Sequence, residues 1–385
     1  MKKKRNWVGH IFSAMFKIFP IKKKRIYFIA RYGKQYSCNP KAYFEYLYKN
    51  HHDEFEFVWC LNDKDIKLPK DVKRTKFMSL RDQYYLHTSG IVVNNLRFSM
   101  LYGKRKGQIY IQTWHGGGPF ILKKIEKDQG LSLFNRWNSQ IDSQQIDILV
   151  AGSRKVQEIF EGCFFIDKNK IALTGSPRCD VLVNKDDSLI KKIKQKLNIS
   201  QDDFVVLYAP TFREKQNFKE LILNNDLIKE SFECETKKNI KLLYRFHPYL
   251  LTKEQKEMKF EDYCINVTAY PEMQDLILIA DVMITDVSTC MCDMMVANKP
   301  CILYLKDYDK YLAEERGLYF SPSILPFPVV KNEEELKNCI NNFDILSKQC
   351  VKGYKKFLNE FGNVESGNAC QNLYKLMVEK MNSKK

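Results

Sequence analysis

A chain of 385 residues exceeds what one hydrophobic core ordinarily holds, so two domains of about 150 to 200 residues are expected. Its composition, 44% hydrophobic and 28% charged, is globular, and its twelve cysteines are scattered without a CxxC pair, the closest being Cys290 and Cys292. That pattern excludes a disulfide framework and a structural zinc site, and it reads as the reduced, mostly buried thiols of a cytosolic protein.

The formal charge of +17 is uneven: Met1 to Arg25 carries nine Lys or Arg and no acid. Between its two basic clusters, Trp7 to Pro20 is an apolar-aromatic stretch, shorter than the roughly 20 residues a helix needs to span a bilayer. A signal peptide fits poorly because no small-residue cleavage site follows. Residues 1–24 therefore read as an amphipathic segment lying on an anionic membrane surface, separable from a fold that begins near Arg25. The alternative is a solvated basic tail leading into a first helix. Nucleic acid, the other partner of basic chains, is not expected, since no recognition motif is present.

Short apolar runs then alternate with segments of helical period. The first set is Arg25 to Ala30, Glu56 to Leu61, Gly90 to Asn94, Gln108 to Thr113, Asp147 to Ala151 and Ile171 to Thr174. The second is Phe204 to Ala209, Ile240 to Phe246, Cys264 to Val267, Asp281 to Thr285 and Pro300 to Leu305. Runs rich in Val, Ile and Tyr, alternating with helices, predict an α/β fold of two Rossmann-like domains with parallel sheets covered on both faces. The charged helical stretch Asn184 to Ser200 marks the boundary, giving domains at 25–190 and 191–376 and a basic tail at 377–385.

Polar groups gather at strand ends, where open α/β sheets bind ligands. In the first half, QTWHGGGP places His115 past an apolar run, followed by Gly116, Gly117 and Gly118. Glycines allow close backbone approach and amides turned toward an anion. In the second half, YRFHP places His247 at a strand exit, with Arg245 two residues back on the same face. Such a pair neutralises a phosphate and orients a leaving oxygen; the alternative is a histidine that locks a loop. DVMITDVSTCMCD brings Asp286, Ser288 and Thr289 to a strand-to-helix junction suited to an anion, although plain helix capping needs only one of those hydroxyls. Thr211 and Arg213 end another run in YAPTFR, and Arg316 lies in EERGLYF. No Walker loop, kinase signature or carboxylate-rich metal site is present, so the set suits phosphate chemistry driven by positioning and electrostatics.

The ordered motifs QTWHGGGP, GSPRCDVL, YAPTFRE, RFHP and DVMITDVSTCMCDMMVANKPCILYLKDYDKYLAEERGLYF resemble the CDP-glycerol glycerophosphotransferase family of teichoic acid primases and polymerases, over roughly Arg25 to Leu376. The resemblance implies a GT-B fold of two Rossmann-like domains facing a central cleft, an N-terminal acceptor domain and a C-terminal CDP-donor domain. It further implies a peripheral enzyme on the cytoplasmic face of the cell membrane, acting in teichoic acid-like or capsule synthesis. The implied reaction moves a polyol phosphate, glycerol phosphate first among them, from a CDP-alditol to a hydroxyl of a lipid-linked glycan or polymer acceptor, releasing CMP. No cofactor or metal is assigned.

By the same resemblance His115 is the base that takes the acceptor's proton, and His247 with Arg245 steadies the donor diphosphate. Thr211, Asp286, Ser288, Thr289 and Arg316 hold donor phosphates and nucleotide. The turn Pro177-Arg178-Cys179-Asp180 is mainly structural. This chain has WHGGGPFILKKI where relatives commonly have WHGTPLKKLG, and TDVST where they have TDYSS. The acceptor, and glycerol against ribitol, therefore stay open, as does a GT-B glycosyltransferase acting on a nucleotide sugar. A non-enzymatic membrane-surface scaffold would require both histidines to be structural.

Overall fold

The computed structural model describes residues 7–98, 102–116, 118–211, 213, 218–246, 260–315 and 317–383. The chain forms two compact units. The first comprises Met1–Pro119, Ile125–Asp180 and Gly362–Lys385, and the second Phe120–Lys124 and Val181–Phe361.

The first unit is built on seven strands: β1 (Lys22–Ile29), β2 (Glu56–Cys60), β3 (Lys73–Thr75), β4 (Ser89–Asn94), β5 (Ile109–Gln112), β6 (Ile148–Val150) and β7 (Ile171–Ala172). They lie in the order β3-β2-β1-β4-β5-β6-β7, every pair parallel. The second unit has β8 (Phe204–Ala209), β9 (Ile240–Tyr244), β10 (Cys264–Asn266), β11 (Val282–Thr285), β12 (Cys301–Tyr304) and β13 (Val329–Val330), ordered β10-β9-β8-β11-β12-β13. These pairs are parallel too. The two doubly wound α/β units are the predicted fold class. Each sheet reverses its direction of growth once, between β1 and β4 in the first unit and between β8 and β11 in the second.

Burial on both faces explains why the strands read as unbroken apolar runs rather than alternating ones. In β8, Val205 and Leu207 enter one cluster with Met283, Leu303 and Met291, while Phe204, Val206 and Tyr208 enter another with Ile228, Phe232 and Ile340. In the first unit, Ile26 and Phe28 of β1 pack with Trp59, Ile91 and Ile109 under Tyr43, Phe44 and Leu47 of the helix Cys38–Asn50. Two short edge strands, β3 and β13, escaped the sequence reading, because KRT and a lone Val-Val pair carry too little apolar pattern.

Three expected boundaries shift. The helix Ala369–Ser383 places Cys370, Leu373 and Met377 in the core of the first unit, so residues assigned to a donor domain and a basic tail belong to a packed helix of the N-terminal unit. Phe120–Lys124 joins the second unit: Tyr319 N–H donates to Leu122 O (2.8 Å) and Lys124 N–H to Gly317 O (2.9 Å). The first strand begins at Lys22 rather than near Arg25, its three lysines exposed and Lys22 registered with Ser89.

The amino-terminal segment is also docked rather than separable. After the helix Trp7–Ala14, the Arg105 guanidinium donates to Phe16 O and Phe19 O (both 3.0 Å), and the Phe16 ring stacks on His87 (5.2 Å). Gly103 lets the helix cross closely, since a Cβ there would run into the Gly9 backbone. Ile11, Met15 and Ile18 remain 61%, 65% and 81% exposed. No helix among the described residues is long and apolar enough to cross a membrane. None of the twelve cysteines is joined in a disulfide.

Candidate active site

Past β5 the chain turns sharply through Thr113, Trp114 and His115, and three side chains, those of Gln112, Asn39 and Arg178, fix the turn. Trp114 sits in the left-handed region (φ 52°), a conformation a bulky residue adopts only where its surroundings impose it. Its N–H donates to Gln112 Oε1 (2.9 Å). From the first turn of the helix Cys38–Asn50, the buried Asn39 amide donates to Thr113 O (3.1 Å) and Trp114 O (3.0 Å), and its Oδ1 accepts from Arg178 N–H (3.0 Å). Arg178, read from the sequence as mainly structural, donates Nη1–H to His115 O (2.9 Å).

The His115 ring has its Nδ1 at 3.0 Å from Asn95 O. A carbonyl can only accept, so the neutral ring carries its proton on Nδ1 and presents its basic lone pair on Nε2. Two residues past Asn95, Arg97 grips Glu126 (3.0 Å), Asp142 (3.1 Å) and Ser143 (2.6 Å) and lies 4.5 Å from the centre of the Phe164 ring. Burial pushes the Asp142 carboxyl up to about 6 against the opposing pull of Arg97. Gly118 packs its backbone against Gly152, where a side chain would collide with its carbonyl. Gly116 is half-buried beside His115, and Gly117 lies outside the described residues.

In the second unit the candidate groups meet where β8 and β11 end, at the switch point of that sheet. Asp286, directly after β11, accepts from Thr211 N–H (3.0 Å), Thr211 Oγ1–H (2.5 Å) and Arg213 Nη2–H (2.7 Å). Arg213 also donates to Asp307 from Nε (2.9 Å) and Nη2 (3.0 Å) and lies over the Tyr311 ring at 4.5 Å. Burial alone would lower the guanidinium's pKa, but its bonds to Asp307 and the charge of Asp286 hold it above the ordinary value. Asp286, expected among the donor-binding residues, here braces Thr211 and Arg213.

Thr289 precedes the helix Cys290–Val296 without a side-chain capping bond, so plain capping does not account for its hydroxyl. Ser288 Oγ accepts from Cys290 Sγ (3.2 Å). Arg245, just past β9, donates Nη1–H to Val267 O (2.9 Å) and to Thr268 O, and so holds the β10 exit. His247 and Arg316 lie outside the described residues. Asn39, Asn95 and Asp307 were not anticipated. Asn39 carried one signal, its place beside Pro40 at a helix start, and that reads as an ordinary cap.

A sequence model of the CDP-glycerol:poly(glycerophosphate) glycerophosphotransferase family matches residues 11–379. The chain is 31% identical to a teichoic acid glycerol-phosphate transferase of Staphylococcus aureus (strain NCTC 8325 / PS 47), covering 92% of this chain and 93% of that one. It is 28% identical to a teichoic acid poly(glycerol phosphate) polymerase of Bacillus spizizenii (strain ATCC 23059 / NRRL B-14472 / W23), covering 96% of each. The solved structure of the wall teichoic acid polymerase TagF superimposes with a TM-score of 0.85 at 27% identity, over 98% of this chain and 94% of that one.

Proposed function

The chain belongs to the CDP-glycerol:poly(glycerophosphate) glycerophosphotransferase family, and from that premise we propose how its residues divide the reaction. It is a transferase that takes glycerol phosphate from CDP-glycerol to a hydroxyl of a teichoic acid acceptor, releasing CMP. Membership sets aside the nucleotide-sugar and scaffold alternatives.

His115 is the general base. The observation that carries this is the Nδ1 contact to Asn95 O, which fixes the tautomer with the lone pair on Nε2, on a turn whose backbone Asn39 and Arg178 hold. The acceptor oxygen gives its proton to Nε2 as it attacks phosphorus, and the P–O bond to CMP breaks. Charge develops on the phosphoryl and leaving oxygens, so donor groups in the second unit carry the electrostatic share. Ser288, Thr289 and Thr211 at the β8 and β11 exits are assigned to the donor, with His247, Arg245 and Arg316. Arg213 and Asp286 act by keeping Thr211 in place.

The exposed Ile11, Met15 and Ile18, flanked by Lys17 and Lys22 to Lys24, support a peripheral contact with anionic lipid, where the lipid-linked acceptor resides. The test of the reaction is CMP release from CDP-glycerol with a lipid-linked acceptor. His115→Ala should lower turnover by about 10²- to 10⁴-fold and leave CDP-glycerol affinity intact. An unchanged rate would remove His115 from the mechanism.

A further inference from the structure

His115 stands past β5, but the switch point of its sheet lies between β1 and β4, where open α/β sheets hold ligands. The chain exits there are Arg31 and Asn94–Asn95, and three observations set them apart. Arg31 and Tyr32 both adopt left-handed backbone (φ 45° and 57°) ahead of Gly33 (74°), a conformation that non-glycine residues keep only under constraint. The constraint leads to the candidate base: Arg31 N–H donates to Asn95 Oδ1 (3.1 Å), and the carbonyl of that same Asn95 orients His115.

The second observation is charge. The half-buried Arg31 guanidinium and the exposed Lys34 ammonium have no hydrogen-bond or ion-pair partner among the described residues, and residues 31–39 contain no Asp or Glu. The third is a pair of donors. Asn94 Nδ2 and Asn95 Nδ2 are buried without an acceptor among the described residues, and a buried unpaired donor calls for an explanation. Cations without counterions, orphan amide donors and imposed backbone at one switch point describe a site for an oxygen-rich anion.

We propose that Arg31 and Lys34 form an acceptor subsite that binds a phosphodiester of the acceptor chain, with Arg31 as the principal contact. This rests on the reaction assigned above, in which the acceptor is itself a polyol phosphate. Its terminal hydroxyl goes to His115, and the phosphodiester one glycerol unit back meets the guanidinium. Arg suits that contact because its planar fork pairs two phosphate oxygens at once.

The experiment uses the full chain and two lipid-linked acceptors, identical except that one bears a glycerol phosphate unit and the other none. Arg31→Ala should raise KM for the phosphate-bearing acceptor roughly tenfold or more, as losing a charge-assisted pair does. Its kcat should stay within about twofold, with KM for CDP-glycerol and for the phosphate-free acceptor unchanged, and Arg31→Lys should recover part of the loss. Equal losses on both acceptors, or an unchanged KM, would overturn the subsite. Calorimetric titration of a soluble diglycerol phosphodiester into wild type and Arg31→Ala needs no turnover. Binding that depends on Arg31 in a protein that transfers nothing from CDP-glycerol would keep the subsite and refute the reaction; absent binding would refute the subsite.

Discussion

Asn39→Ala tests whether the His115 turn is held from a distance. Asn39 is 1% exposed and makes three hydrogen bonds, two to carbonyls of the turn and one from the Arg178 backbone. At about 1 kcal/mol net for each bond, truncation should cost roughly 3 kcal/mol of stability, more if Arg178 N–H stays buried without an acceptor. The larger effect is on rate. Trp114 keeps its left-handed backbone, a conformation costing on the order of 1–3 kcal/mol, because neighbours over-determine it. With two of those bonds gone the turn relaxes, and a displacement of about 1 Å at a reacting group costs on the order of 10²-fold. Steady-state CMP release should therefore fall about 10- to 100-fold in kcat, while CDP-glycerol affinity, measured by titration, stays constant. The decisive assay is the double variant. If Asn39 acts only through His115, then Asn39→Ala in a His115→Ala background should slow the reaction no further. A full additional loss in that background, or a weakened donor affinity, would refute the reasoning.

Asp286→Asn removes the charge that braces Thr211 and Arg213 while keeping a similar shape, and should weaken CDP-glycerol binding more than it lowers kcat; titration of donor against the variant checks this. His87 is buried under Phe16, and burial, helped by the nearby Arg105, lowers its pKa to about 4 from an ordinary 6.5. Because the folded value is depressed, the unfolded chain binds the extra proton first, so stability is full above about 6.5 and is lost as pH falls through 4. At about 1.4 kcal/mol per pKa unit this amounts to roughly 3.5 kcal/mol, and His87→Phe should flatten that stretch of a thermal-stability profile against pH. For the amino terminus, Ile11→Ser with Ile18→Ser should release the protein from anionic vesicles in co-sedimentation without changing its melting temperature. Deletion through Lys24 should instead lower that temperature, since it removes three residues of β1.

The sequence by itself determined the fold class and the strand ends that carry chemistry. Strands buried on both faces need unbroken apolar runs, and a parallel sheet delivers its polar exits to one edge, so His115, Thr211 and the Asp286 to Thr289 junction could be placed without coordinates. Short polar edge strands such as Lys73–Thr75 left no such trace. Tertiary structure alone decided the partners. Asn39 opens the helix after β1, Asn95 follows β4 and Arg178 lies past β7, and only the pairing of those strands in one sheet with β5 brings them to one turn. It also decided contacts that residue type left open: on Asp286, the lone acid of TDVST, three donors from Thr211 and Arg213 converge. The last helix is amphipathic in either unit, and an apolar stripe does not say which core it covers. Its return to the first unit follows from packing against Tyr43 and its neighbours, a contact between residues some 330 positions apart.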